Sequence, residues 1–156
     1  MDGSSISRKL IAIGCAAAIV ASFSLAGCAG GGGAVSYKDG TYTGQSEFYE
    51  DSDDGNGNGY GIATVTIEGG KIVTCDFKTY EPDGTLKDED YGKTNGAVAN
   101  QDFYNTAQNA VVACKEYAEQ LVEVGNADGV DMISGATISY SEFQDAVEIA
   151  LAKAAE

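Results

Sequence analysis

The stretch Tyr60-Gly61-Ile62-Ala63-Thr64-Val65-Thr66-Ile67-Glu68-Gly69-Gly70-Lys71-Ile72-Val73-Thr74-Cys75-Asp76-Phe77-Lys78-Thr79-Tyr80 decides the fold. Two alternating runs, Tyr60 to Glu68 and Lys71 to Tyr80, flank Gly69-Gly70. A Gly-Gly pair there predicts a two-residue hairpin, because both turn positions need positive φ. A period of two puts Ala63, Val65 and Ile67 on one face of the first run. It puts Val73, Cys75 and Phe77 on one face of the second, so this side is expected to pack on a core. Upstream, Gly40 to Phe48 reads as a first strand behind the turn-like Lys38-Asp39-Gly40, and Tyr49 to Gly59 as an acidic, Gly/Asn-rich loop. Downstream, Glu81 to Asn100 holds the only proline, Pro82, and no sustained period, which reads as loop. From Asp102 to Val124 the residues Phe103, Ala107, Ala110, Val111, Cys114, Ala118 and Leu121 recur at helical spacing. A second helix is expected from about Tyr140 to Ala154 on the stripe Phe143, Ala146, Val147, Ala150 and Leu151. Ser139 and Glu142 before it match a capping box. The order β-β-β-α-α gives an α+β class: an antiparallel sheet containing a β-hairpin, with two C-terminal helices packed on it.

Composition narrows the chemistry. The 156 residues carry 9 basic and 24 acidic side chains, a net charge of −15, and contain no histidine. Such a chain repels nucleic acid and anionic lipid alike. Without histidine it has no His-based acid–base catalysis, no Ser-His-Asp or Cys-His triad, and almost none of the usual zinc or haem ligand sets. Redox or transfer chemistry then falls to a cofactor, a carboxylate, Tyr, Ser/Thr or Cys.

The N-terminus has an export layout. Arg8 and Lys9 precede an uncharged run from Leu10 to Gly27, rich in Ala and Ile. The run ends in Leu25-Ala26-Gly27-Cys28, which resembles the bacterial lipobox, cut before a cysteine that carries the lipid. A retained transmembrane helix is the alternative, but the Ala- and Gly-rich run is short and weakly spanning. The expected organisation is a signal peptide at residues 1–27, a lipidated Cys28 and Gly-rich tether at 28–37, and a folded domain at 38–156. Cleavage removes Asp2, Arg8, Lys9 and Cys15 and leaves 7 basic against 23 acidic residues, net −16.

Between the two helices lies Asp131-Met132-Ile133-Ser134-Gly135-Ala136-Thr137. Four small residues lead into a helix N-terminus, where unpaired N–H groups and the positive end of the helix dipole suit a phosphate. Gly135 and Ala136 allow close approach of the backbone, and Thr137 adds a hydroxyl. On pattern alone an ordinary helix cap, made by Thr137 or Ser139, is the favoured reading.

This segment resembles the flavinylation motif Asp-x-x-Ser/Thr-Gly-Ala-Thr of FMN-binding domains, found in C subunits of sodium-translocating quinone reductases, Rnf-type electron-transfer subunits and small exported flavoproteins. Asp39-Gly40-Thr41-Tyr42-Thr43-Gly44 is similar to the opening strand of that family. Val65 to Val73 is similar to its hairpin, and Ala146 to Ala154 to its closing helix. The resemblance covers most of residues 38–155; the acidic stretch Glu47 to Gly59 departs from it. It implies that a flavin transferase, using FAD and Mg²⁺, places FMN on Thr137 as a phosphoester and releases AMP. Asp131 would then serve transferase recognition and hold the segment, while Ser134, Gly135 and Ala136 would keep it narrow. It further implies a protein on the extracytoplasmic face of the cell membrane, relaying electrons from a membrane donor to an extracytoplasmic acceptor or reductase. An electron carrier fits this better than a substrate-transforming enzyme. A carrier for one dedicated reductase and a flavin-free surface lipoprotein of the same fold are the alternatives.

Four other features are open to more than one reading. Asp51 to Asn58 reads as a solvated loop rather than a calcium loop, since it lacks the closing Glu. Gly92-Lys93-Thr94 imitates a P-loop ending, but Lys87 stands where the first glycine is needed. Cys75 and Cys114 either pair in a disulfide or serve as small buried hydrophobes. Tyr140, close after Thr137, is either packing or a flavin contact.

Overall fold

A computed structural model describes residues 36–50 and 57–155. The signal segment, Cys28, most of the tether and the acidic residues 51–56 lie outside the described residues. Three strands, β1 (Gly40–Gln45), β2 (Tyr60–Glu68) and β3 (Lys71–Tyr80), form an antiparallel sheet in the order β1-β2-β3. Two helices follow, α1 (Gln101–Val124) and α2 (Thr137–Ala155), with a single 3₁₀ turn, Ala127–Gly129, between them. The α+β class and element order agree with the sequence reading.

The hairpin forms as expected, with Gly69 and Gly70 at φ +59° and +73°. One face of it departs from simple alternation. Thr66 pairs with Thr74 but Ile67 pairs with Ile72, so Val73 is the extra residue of a β-bulge. The bulge turns Val73 to solvent and Ile72 inward, replacing Val73 in the expected core with Ile72. Beyond it, Phe77 and Thr79 face the core as Ala63, Val65 and Ile67 do. On the outer face Thr41 meets Thr66 and Thr43 meets Thr64, each at 3.1 Å, so the solvent side carries a hydroxyl ladder. Strand β1 stops at Gln45, short of the expected Phe48, because the Ser46 hydroxyl takes the Gly61 N–H at 2.8 Å, a place that main-chain pairing would otherwise fill.

Both helices lie on the inner face of the sheet, α1 against β3 and α2 against β1 and β2. Close contact between α2 and β1 depends on Gly44: a Cβ there would lie 2.0 Å from the Ala146 carbonyl oxygen. The core is built from Val65, Ile67, Leu121, Val147 and an aromatic cluster in which Phe143 meets Phe77 edge-on at 5.2 Å and Tyr117 at 5.5 Å. Asn100 caps α1 by accepting from the Asp102 and Phe103 N–H groups, and Gly125 closes it in the left-handed conformation. No helix among the described residues is long and apolar enough to cross a membrane.

Candidate functional site

Asp131 to Ala136 forms no regular structure, yet it is fixed along its length by one face of α1. Asn109, Tyr117 and Gln120 stand eight and then three residues apart, which places them on one side of the helix. The Asn109 amide donates to the Ser134 carbonyl at 3.1 Å. The buried Tyr117 hydroxyl donates to the Ala136 carbonyl at 3.2 Å and accepts from the Ile133 N–H at 3.0 Å. Gln120 accepts from the Asp131 N–H at 2.8 Å and donates back to its carbonyl. Gly135 makes the final bend at φ +81°, and a Cβ there would lie 3.1 Å from the Asn109 amide nitrogen.

The bend delivers Ala136, buried, and Thr137, exposed, to the start of α2. The Ala136 carbonyl accepts the first intrahelical bond, from Tyr140 N–H at 2.9 Å. Ala136 therefore stands where helices usually place a capping oxygen, and its methyl accepts nothing. The helix begins three residues earlier than expected. Ser139 is its third residue and Glu142 is buried within it, so the expected capping box does not form. Asp131, Ser134 and Gly135 are exposed on the approach to Thr137.

A cavity of about 220 Å³ opens beside Thr137. Phe103, Ala107, Ala110 and Val111 of α1 and Ile138 of α2 give it apolar walls; Lys87 and Tyr91, from the segment between β3 and α1, add a polar side. Lys87 is only 7% exposed, donates to the Gly57 carbonyl at 3.0 Å and lies 5.2 Å from the centre of the Tyr91 ring. Burial lowers the pKa of its ammonium, against the opposing pull of Glu142 and Glu81, and raises that of the Tyr91 phenol. Next to the cavity, sharing Thr79, Lys87 and Val111 with it, is a wider groove of about 600 Å³ between β3 and α1. Cys75 and Cys114 line this groove, but Thr137 does not.

Cys75 and Cys114 are unpaired thiols, half-buried and buried respectively. Burial pushes them up to about 12 and about 11, so they act as small packing groups. Tyr140 does not line the cavity. Its hydroxyl donates to the Val130 carbonyl at 3.0 Å and its ring leans on Tyr117 at 5.4 Å, which makes it part of the segment's support. Sequence reasoning missed Asn109, Gln120, Lys87 and Tyr91, and missed Tyr117 as a core residue. Asn109, Tyr117 and Gln120 lie among the many polar residues beside the apolar stripe of α1, so no local pattern singles them out.

Fold and site together define a small α+β domain that holds a hydroxyl at a helix start, beside an apolar slot with one polar wall. The chain belongs to the FMN-binding domain family, whose model matches residues 56–152. A 15 kDa lipoprotein of Treponema pallidum (strain Nichols) is 30% identical over 99 residues, covering 62% of this chain; the chain thus spans 63% of that relative's length. The crystal structure of the CPE2226 protein from Clostridium perfringens shares the fold, with a TM-score of 0.55 and 23% identity over 76% of this chain and 88% of that one. A solution structure from Clostridium thermocellum covers 76% of this chain and 93% of its own at 24% identity, with a TM-score of 0.41.

The residues present fit a flavin. The apolar lining suits an aromatic ring system, Lys87 and Tyr91 offer polar groups beside it, and the start of α2, where Ala136 supplies no capping oxygen, suits a phosphate.

Proposed function

We propose that this protein is an exported, lipid-anchored flavoprotein that carries FMN covalently on Thr137 and relays electrons between a membrane donor and an extracytoplasmic acceptor. The observation that carries the reading is the place of Thr137: an exposed hydroxyl on the first residue of α2, lining an apolar cavity, within a matched FMN-binding domain. Thr137 would be the acceptor hydroxyl for a Mg²⁺-dependent flavin transferase that takes the FMN phosphoryl group from FAD, with AMP as the leaving group and the hydroxyl proton passing to solvent. FMN held there would supply uptake of one or two electrons.

The chain's own residues do the rest. Asn109, Tyr117 and Gln120 hold the segment from Asp131 to Ala136 in a fixed course that keeps Thr137 outermost. Asp131, exposed on the same segment, is the contact offered to the transferase, and Ser134, Gly135 and Ala136 keep the segment narrow enough to enter it. Phe103, Ala110, Val111 and Ile138 exclude water from the slot. A covalent link suits an exported domain, because a dissociated flavin would be lost to the surroundings. The lipobox-like Leu25-Ala26-Gly27-Cys28 and the lipoprotein relative support anchoring through Cys28. Co-expression with a flavin transferase tests the reading. A yellow protein whose colour survives denaturation and precipitation is expected; a colourless one overturns it in favour of a flavin-free lipoprotein.

A further inference from the structure

The cavity beside Thr137 has a buried acid next to it that positioning of a flavin leaves unused. Glu142 is 3% exposed, and neither carboxylate oxygen has a hydrogen-bond partner. Buried carboxylates are ordinarily satisfied by several donors, so an unpartnered one calls for a reason. It stands on α2 one turn beyond Ser139, and Ser139 lines the cavity. Lys87, which also lines the cavity, attracts Glu142 through space but gives its hydrogen bond to Gly57. Among the described residues, Tyr91, from the same segment as Lys87, and Cys114 on α1 are the other titratable groups that interact with Glu142; Glu81 acts on Lys87 and Tyr91. From the sheet side Gly61 presents no side chain, and a Cβ there would lie 3.1 Å from the Glu142 Cβ.

We infer that Glu142 is a proton-holding site coupled to the charge in the cavity beside Thr137: when electrons enter that cavity from an external reductant, Glu142 takes up one proton from water. This rests on the flavin reading above. Negative charge added in a low-dielectric site disfavours a second negative charge nearby, so the carboxylate becomes the neutral acid. The proton comes from solvent and the electrons from the reductant, and no bond within the protein is broken. Burial already pushes Glu142 up to about 7 against the lowering influence of Lys87, so its proton exchanges near neutral pH. Glu142 acts through space, as a positioning residue for charge. Lys87 sets the pH at which it does so.

The flavin-loaded full chain, titrated with dithionite, tests this in two ways. In the wild type the midpoint potential is expected to steepen by about 30 mV per pH unit over a window above neutrality, the slope for one proton per two electrons. The reduced-minus-oxidised infrared spectrum should show a protonated carboxyl band in the same window. Both features vanish in the isosteric Glu142→Gln variant. Lys87→Met should move the window to higher pH, because loss of the cation makes the neutral acid easier to keep. A yellow protein in which wild type and Glu142→Gln share one slope and one spectrum overturns the inference and leaves the flavin reading standing. A colourless protein overturns the flavin reading and the inference with it.

Discussion

Tyr117→Phe removes a single oxygen, and the structure says what that oxygen holds. It donates to the Ala136 carbonyl and accepts from the Ile133 N–H, spanning the bend that presents Thr137. The Ala136 carbonyl keeps its bond from Tyr140 N–H, so on that side only one bond is lost. The Ile133 N–H is left without its partner in a half-buried place, which is the larger cost. With ~1 kcal/mol for a lost bond and ~1–2 kcal/mol for a stranded donor, the variant is expected to lose about 2 to 3 kcal/mol. At ~4 °C per kcal/mol for a domain of this size, the midpoint of thermal unfolding falls by roughly 10 °C. Urea unfolding measures the free energy and amide exchange at Ile133 reports the local loosening. Flavin transfer should slow in proportion to the fraction of time the segment is displaced. Tyr140→Phe, which gives up one bond to Val130, serves as the milder comparison at ~1 kcal/mol. A Tyr117→Phe protein as stable as wild type, with unchanged protection at Ile133, would refute the claim that α1 fixes the segment.

Three further outcomes are expected. Gly135→Ala places a side chain at φ +81° against the Asn109 amide and should cost about 1 to 2 kcal/mol in urea unfolding, with slower flavin loading. Glu142, held near 7 when folded against 4.5 unfolded, keeps its proton in the folded state between those values. Stability should therefore fall by up to about 3 kcal/mol as pH rises from the lower value through the upper, then level off, and Glu142→Gln should flatten that slope in a pH series of urea melts. Cys28→Ser should release the protein from the membrane fraction without changing its flavin content; an unprocessed protein retained in the membrane would favour a spanning N-terminal segment.

The parts of the fold legible in the sequence are those written in local period and turn chemistry. Gly69-Gly70 between two alternating runs specified the hairpin, and the apolar spacing of both helices set their faces. Alternation puts Val73 on the wrong side because a bulge inserts a residue without marking itself in an apolar run: Ile72 and Val73 satisfy either register equally. Ser139 and Glu142 imitated a capping box because the motif is a spacing and nothing more. The helix actually starts at Thr137, where Ala136 offers no cap, and this leaves Glu142 in the interior. The position of Thr137 at a helix start could be read locally. Its support could not, since Asn109, Tyr117 and Gln120 reach it across a helix pair. Lys87 and Tyr91 reach the cavity from a segment with no period at all.

The central claim is that FMN is esterified to one hydroxyl, and peptide mass mapping tests it most directly. After co-expression with a flavin transferase, the peptide containing Thr137 should carry the mass of FMN less water, and the Thr137→Ala protein should be folded and unmodified. An unmodified wild-type peptide, or a flavin mass that persists in Thr137→Ala and maps to Ser134 or Ser139, would contradict it.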